Sequence, residues 1–364
     1  MARFTDIFDD VTKQGRKIPT NEYLERGMHP IIDQGQKEIA GYSNEEAGLF
    51  CDVPAIIFGD HTRVIKYVDT PCFLGADGVK LLKAKKSNAN YKYLFYALSS
   101  ADIPNTGYNR HFKWLKEVEI PTHTENEQND IVAVLDKVSG LIALRKQQLQ
   151  KLDELVKARF VEMFGDPETN PNGWEQVTVG DVCSSIVRGP FGSALKKDFF
   201  VEPSNSTYKV YEQKHAIQKS ATIGTYYITE EKYQELKRFE CLSGDIIMSC
   251  SGTMGELYQL PERCERGIIN QALCKFTLNN KMLPICFLTY MRQTIGNLET
   301  KGSGIKNIAA VSYVKAMPIN LPPMSVQIEF ESFCKQTDKS KAVIQKALDE
   351  AQLLFDSLMQ KYFG

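Results

Sequence analysis

Ile131-Val132-Ala133-Val134-Leu135-Asp136-Lys137-Val138-Ser139-Gly140-Leu141-Ile142 lies early in a run of about forty residues that closes on Phe164-Gly165. Along this run apolar side chains fall at Ile131, Leu135, Val138, Ile142, Leu149, Leu152, Val156 and Met163. Alternating steps of four and three are the seam of a coiled coil, so the spacing predicts one long helix. Arg145 occupies a seam position, where its long stem can snorkel outward. A shift of 199 residues reproduces the pattern as Phe330, Cys334, Thr337, Lys341, Ile344, Leu348, Ala351, Phe355, Met359 and Tyr362, ending on Phe363-Gly364. The same shift carries Gln128 onto Gln327, Leu155 onto Leu354 and Phe164 onto Phe363.

Each helix follows a proline stop, Ile120-Pro121 or Leu321-Pro322-Pro323, and each stop follows a mixed, turn-rich segment. The chain therefore divides into 1–121, 122–165, 166–322 and 323–364: module, helix, module, helix. The modules read as α+β. Ala55-Ile56-Ile57-Phe58, Asp245-Ile246-Ile247-Met248 and Lys275-Phe276-Thr277-Leu278 have strand character, and helical stretches run over 91–98 and 285–293. Two helices of equal length and period bury their stripes most simply against each other. Paired antiparallel, the second would return the chain to the first module, giving a pseudo-twofold, cyclic arrangement with forty residues spanning roughly 60 Å.

With 364 residues, 43% hydrophobic and 24% charged, the chain has the composition of globular domains able to bury their own cores. No run suits a membrane span and the first residues lack a signal-peptide core, so a cytoplasmic location is expected. Nine cysteines without a Cys-x-x-Cys pair suggest reduced thiols rather than a disulfide framework or zinc site. The formal net charge of −1 means that any nucleic-acid binding must come from local concentrations of cations.

Catalytic signatures are missing from the sequence. There is no phosphate-binding Gly-x-x-x-x-Gly-Lys-Ser/Thr loop, and Gly302-Ser303-Gly304 lacks the rest of a dinucleotide fingerprint. The five histidines are dispersed, and no Asn/Asp-Pro-Pro-aromatic string is present to grip a flipped base. Neither a catalytic residue nor a metal site is expected. Three loops combine cations with amides or glycine hinges, as phosphate and base-edge contacts require. They contribute Lys85 and Lys86; Asn109 and Arg110; and Arg188, Lys196 and Lys197. Ser303, Lys306 and Asn307, placed before the second proline stop as Asn109 and Arg110 are before the first, complete the candidate DNA-contacting set.

Phe164-Gly165-Asp166-Pro167 with Asn170-Pro171-Asn172-Gly173-Trp174, Arg188-Gly189-Pro190-Phe191-Gly192-Ser193, and the paired Pro121/Gln128 and Pro322/Gln327 together resemble the specificity subunits of type I restriction-modification enzymes. The resemblance extends along the whole chain. It departs at the start, where Phe4-Thr5-Asp6-Ile7 stands without an Arg-Gly-Pro-Phe-Gly counterpart, leaving the match of the first strands open. It implies two target recognition domains, each reading one half of an asymmetric double-stranded DNA site, separated by two long antiparallel coiled-coil helices. Those helices, with Ile131, Leu135, Val138, Ile142, Leu149, Leu152, Val156, Ile344, Leu348 and Phe355 in their seam, would set the spacer between half-sites. They would also dock two modification subunits and the restriction subunits. S-adenosylmethionine, ATP and magnesium would belong to those partners, with no cofactor in this chain. Two other readings stay open at this stage: a compact nuclease or methyltransferase with its own catalytic centre, and a coiled-coil interaction scaffold without DNA readout.

Overall fold

The computed structural model describes residues 1–75, 77–107, 109–300 and 310–364, with the side chains of 296–300 outside that description. It groups the chain into two compact units, Met1–Gln147 with Ile344–Gly364, and Gln148–Val343. Both long helices are therefore shared between units.

In unit 1 the chain runs through β1 (Ala2–Arg3), α1 (Phe4–Ile7), β2 (Phe8–Asp10), β3 (Lys17–Ile18), β4 (His29–Ile32), β5 (Gly41–Ser43), β6 (Ala55–Gly59), β7 (Ile65–Val68), β8 (Phe73–Gly75) and β9 (Val79–Ala84). Then come α2 (Tyr91–Ser99), α3 (Phe112–Leu115), β10 (Glu119–Ile120) and the long α4 (Glu125–Phe164). Unit 2 continues through β11 (Glu175–Thr178), β12 (Cys183–Arg188), β13 (Thr207–Tyr211), α5 (Gln213–Ile217), β14 (Tyr227–Thr229), α6 (Glu230–Glu235), β15 (Glu240–Cys241), β16 (Ile246–Ser249), β17 (Leu257–Gln259), β18 (Gly267–Ile269) and β19 (Leu273–Leu278). It closes with α7 (Pro284–Thr300), α8 (Val311–Ala316), β20 (Pro318–Leu321) and the second long helix α9 (Met324–Phe363).

The units share a plan. A two-strand clasp pairs β1 with β10 and β11 with β20. A four-stranded antiparallel sheet has the order β2-β9-β6-β7 in unit 1 and β12-β19-β16-β17 in unit 2. The first strands of the two units thus correspond, even though unit 1 lacks the Arg-Gly-Pro-Phe-Gly string. A second sheet has a shared three-strand core, β5-β4-β8 and β14-β13-β18, with an antiparallel and a parallel pairing in each. The fourth strand differs. In unit 1 it is β3, parallel to β8, drawn from before the core; in unit 2 it is β15, antiparallel to β18, drawn from within it.

Strand periodicity explains the layers. Ile56 and Phe58 point into a core with α2, while Ala55 and Ile57 point to the second sheet's Ile32 and Leu74. In unit 2, Ile246, Met248 and Phe276 face α7, while Ile247 and Leu273 face Tyr211 and Ile269. The continuous apolar runs in the sequence are therefore strands covered on both faces.

The long helices start and stop for local reasons. Thr124 and Glu127 form a capping box at the start of α4, with Thr124 N–H donating to Glu127 Oε2 at 2.8 Å and Glu127 N–H reaching Thr124 Oγ1 at 3.4 Å. Gln128 Nε2 donates to His123 O at 2.9 Å, and Gln327 Nε2 to Pro322 O at 3.0 Å, each five residues back. Gly165 ends α4 at φ +77°, a left-handed conformation that favours glycine, with its N–H on Val161 O at 2.9 Å.

Within each unit the two helices run antiparallel. Ile131 and Leu135 of α4 join Phe355, Tyr362 and Phe363 of α9 in the unit 1 core. Phe160 and Phe164 join Phe330 and Cys334 in that of unit 2. The seam is buried at Ile131, Leu135, Val138 and Ile142, and half-buried at Leu149, Leu152, Val156, Ile344, Leu348 and Phe355. Phe160, four residues past Val156 and absent from the expected seam, is fully buried and stacks on Phe164 at 4.4 Å. Two polar seam positions are satisfied: Thr337 donates to Phe333 O of its own helix at 3.0 Å, and Lys341 pairs with Asp153 of α4 at 2.6 Å.

Burial predicts the energetics. Phe160→Ala is expected to destabilise unit 2 by about 3–5 kcal/mol, and Leu152→Ala by less than about 2 kcal/mol, in denaturant titrations. A second expectation concerns β15. Partial burial pushes Glu240 up, but hydrogen bonds from Tyr233, Lys237 and Arg266 outweigh it and hold the carboxyl at about 2, against an ordinary 4.5. A carboxylate depressed on folding stabilises above its unfolded value and loses that contribution as pH falls toward the folded one. Thermal unfolding followed from pH 5 to pH 2 should show a smaller loss of stability in Glu240→Gln than in the unaltered chain.

Candidate nucleic-acid interface

In unit 2, three loops converge on one guanidinium. Arg188, at the end of β12, donates from Nε to Gln271 O at 2.9 Å and from Nη2 to Cys250 O at 3.5 Å. It thereby ties the segment 189–197 to the β16–β17 loop and to the β18–β19 turn. Gly189 makes the approach possible: a Cβ there would lie 1.8 Å from Asn270 O, and its N–H donates to Leu273 O at 3.0 Å. Pro190 is buried, Ala194 N–H closes a turn on Phe191 O at 2.9 Å, and buried Leu195 anchors the far end beside Val210 and Ile228.

The exposed tips of these loops carry Phe191, Ser193, Lys196, Lys197, Ser251, Thr253 and Gln271. Lys196 and Lys197 have no ion-pair partner among the described residues. Ser251 is oriented by its hydroxyl on Gln213 Oε1 at 3.2 Å, and Ser249 Oγ braces Thr253 O at 2.6 Å. Beneath Arg188 lie the buried thiols of Cys250 and Cys274. Their mutual hydrogen bond lowers Cys250, with Arg188 helping against burial, and raises Cys274, with burial adding to it.

In unit 1 the loop carrying Asn109 and Arg110 is clamped by His111, which is fully buried. Its Nδ1 lies 2.9 Å from Asp60 O and its Nε2 3.4 Å from Thr106 N. An Nδ1–H tautomer donates to Asp60 and leaves Nε2 to accept from Thr106. Phe112 N–H donates to Asp60 Oδ1 at 2.7 Å, and His61 Nδ1 contacts Asn109 O at 3.2 Å. Asn109 donates its amide to Thr106 O at the exposed surface, while Arg110 is exposed and unpaired among the described residues.

The lysine cluster before α2 is less available than its sequence suggests. Lys83 donates to Asp52 and to Pro54 O at 2.9 Å, Lys92 pairs with Asp136, and Lys85 donates to Thr5 O at 2.7 Å near Asp9. Lys86 alone of these four is exposed with no ion pair among the described residues. It borders a hollow of about 860 Å³ lined by Asn88, Asn90, Tyr93, His123 and Gln128.

Among the candidate contacts, Arg188, Lys196 and Lys197 thus share one surface of unit 2, and Asn109 and Arg110 one loop of unit 1. Lys85 and Lys86 sit beside the hollow, and Ser303, Lys306 and Asn307 lie outside the described residues. Phe191, Ser251, Thr253 and Gln271 are exposed on the same unit 2 loops but were not among the candidate contacts. Phe191 stands inside the Arg188–Ser193 motif; the others become neighbours through the strand order. No helix among the described residues is long and apolar enough to cross a membrane, and none of their His, Cys, Asp and Glu side chains cluster as a metal would require.

If Arg188 is the clamp, Arg188→Ala should speed backbone hydrogen exchange in 250–255 and 270–272 at least about tenfold, leaving α9 unchanged. Equal protection in both segments would show that the loops hold themselves.

The family model described as the type I restriction modification DNA specificity domain matches residues 1–154 and 171–352. No match was found among curated protein sequences. Among solved structures, the chain is similar to a type I restriction-modification S subunit from M. genitalium, at 16% identity and a TM-score of 0.56, covering 100% of this chain and 95% of that one. It is also similar to a chain from a structure concerned with complex assembly and conformational transition of the type I R-M system, at 15% identity, a TM-score of 0.57 and the same coverages. At such identities these likenesses speak for the fold. The double match to the family model, on two units of common topology, carries the assignment: the chain belongs to the type I restriction-modification DNA specificity family, as a DNA-recognition subunit that is not itself catalytic.

Proposed function

We propose that this chain reads a bipartite, asymmetric DNA site, one half by each α+β module, with 1–121 and 166–322 as the two target recognition domains. The helical segments 122–165 and 323–364 set the spacing and dock two modification subunits and the restriction subunits. Methyl transfer with S-adenosylmethionine and ATP- and magnesium-dependent work take place in those partners, in the cytoplasm. The observation that carries this reading is the repeated sheet order with unlike loops and unlike fourth strands. A common frame with different tips is what two different half-sites require.

The charge distribution supports a division of labour. Lys196, Lys197, Lys86 and Arg110 are exposed cations suited to phosphates, which fix register. Ser193, Ser251, Thr253 and Gln271 are exposed polar side chains of the kind that discriminates base edges. Docking is supported by apolar side chains left in solvent on the helices. They are Val134, Leu141, Leu144, Leu353 and Leu354 in unit 1, and Leu155, Val161, Ile328 and Val343 in unit 2.

Methylome sequencing with and without this chain tests the function. A bipartite adenine-methylated motif should vanish on deletion; an unchanged methylome in an otherwise active system would sink the proposal. In the assembled complex, replacing Lys196 and Lys197 with alanine should reduce the slope of log affinity against log salt by about one per lysine. Arg110→Ala should weaken recognition of one half-site only, and equal loss at both halves would defeat the modular assignment. Absence of salt-dependent binding with modification subunits present would favour the scaffold reading.

A further inference from the structure

Phe191 is the most exposed large apolar side chain among the described residues, at 89%. Its backbone is held on both sides. Before it stand the Arg188 clamp, the close-packed Gly189 and buried Pro190; after it, the turn closed by Ala194 and the anchor at Leu195. The ring is thus presented to solvent by a fixed support. The exposed residues that follow it as far as Asp198 are Gly192, Ser193, Lys196, Lys197 and Asp198 itself, none of them apolar and large. The next exposed aromatic on this segment, Phe199, already has the Lys232 ammonium 4.1 Å from its ring centre.

These surroundings decide between two kinds of occupant. A protein partner's hot spot needs a contiguous apolar patch with the aromatic at its centre. A lone, rigidly held aromatic with two lysines on its own segment, unpaired among the described residues, fits a stacked, polyanionic duplex, where apolar wedges enter between base steps and cations hold the phosphates. We propose that Phe191 is a wedge that inserts between adjacent base pairs of the half-site bound by unit 2, with Lys196 and Lys197 on the flanking phosphates. This rests on the reading of unit 2 as a DNA-recognition module and adds a deformation component to its specificity. A base step that unstacks easily would be preferred at the wedge position without any hydrogen bond to its bases.

The test uses the full chain assembled with its modification subunits, and a duplex enriched from a randomised pool by that complex. With 2-aminopurine placed at each position of the unit 2 half-site in turn, binding should raise fluorescence at a single step apart from the adenine flipped for methylation. Phe191→Ala should abolish that rise and weaken binding roughly tenfold to a hundredfold, while Phe191→Trp retains both. An abasic site at the same step, where unstacking is already done, should bring Phe191→Ala to within about threefold of the unaltered complex. Unchanged binding and fluorescence in Phe191→Ala would overturn the wedge. So would a loss that the abasic site does not recover and that is accompanied by loss of the modification subunits, which would mark a protein contact. If the unaltered complex enriches no duplex, the DNA-recognition reading of unit 2 falls, and the wedge with it.

Discussion

Each unit depends on the packing of a segment of α4 against a segment of α9. Both helices divide between the units, and in each the apolar side chains of α4 and α9 enter one core together. In unit 1, Tyr93 and Tyr96 of α2 meet Phe363 and Phe355 of α9, at 5.4 and 6.1 Å between rings. In unit 2, Phe160 meets Tyr290 of α7 at 6.1 Å and Phe330 of α9 at 5.4 Å. These rings are large enough to dominate the cost of separating the segments. Unit 2 completes its core within the contiguous stretch 148–343, whereas unit 1 needs residues 344–364, so the antiparallel return of α9 is a condition of folding for unit 1.

That requirement frees the outer loops. With strand order and helix packing carried by buried side chains, the tips of unit 2 need only backbone ties. Arg188 supplies these by donating to the carbonyls of Gln271 and Cys250. Residues beyond the clamp, such as Phe191, Ser193, Lys196, Ser251 and Thr253, can then vary without touching the core. Unit 1 reaches the same result by a different route, through buried His111 braced on Asp60. Shared sheets and unlike clamps would let one frame serve the two half-sites proposed above.

Much of this was legible in the sequence because it is periodic or local. Alternation of threes and fours gave away both long helices, and the apolar runs at Ala55–Phe58 and Lys275–Leu278 marked strands. Proline, glutamine and glycine marked the helix ends, and those marks correspond to actual hydrogen bonds at Gln128, Gln327 and Gly165. The candidate site was legible only in part. Arg188 and Lys85 carry the charge a phosphate contact needs, yet both donate to backbone oxygens, Arg188 at Gln271 and Lys85 at Thr5. Which cations remain available depends on carboxylates and carbonyls distant in sequence, and no spacing rule reaches those.

The sequence by itself determined the repeat, the helix registers and the class of the modules, since each follows from spacings along the chain that set which side chains must leave water. Only the tertiary structure decided which loops share a surface. Residues 188–197, 250–255 and 270–272 meet because β12, β19 and β16 are neighbours in one sheet. Strand neighbours are chosen by long-range hydrogen bonding and by burial of both sheet faces, and for β12 and β19 that choice is made between residues about ninety positions apart.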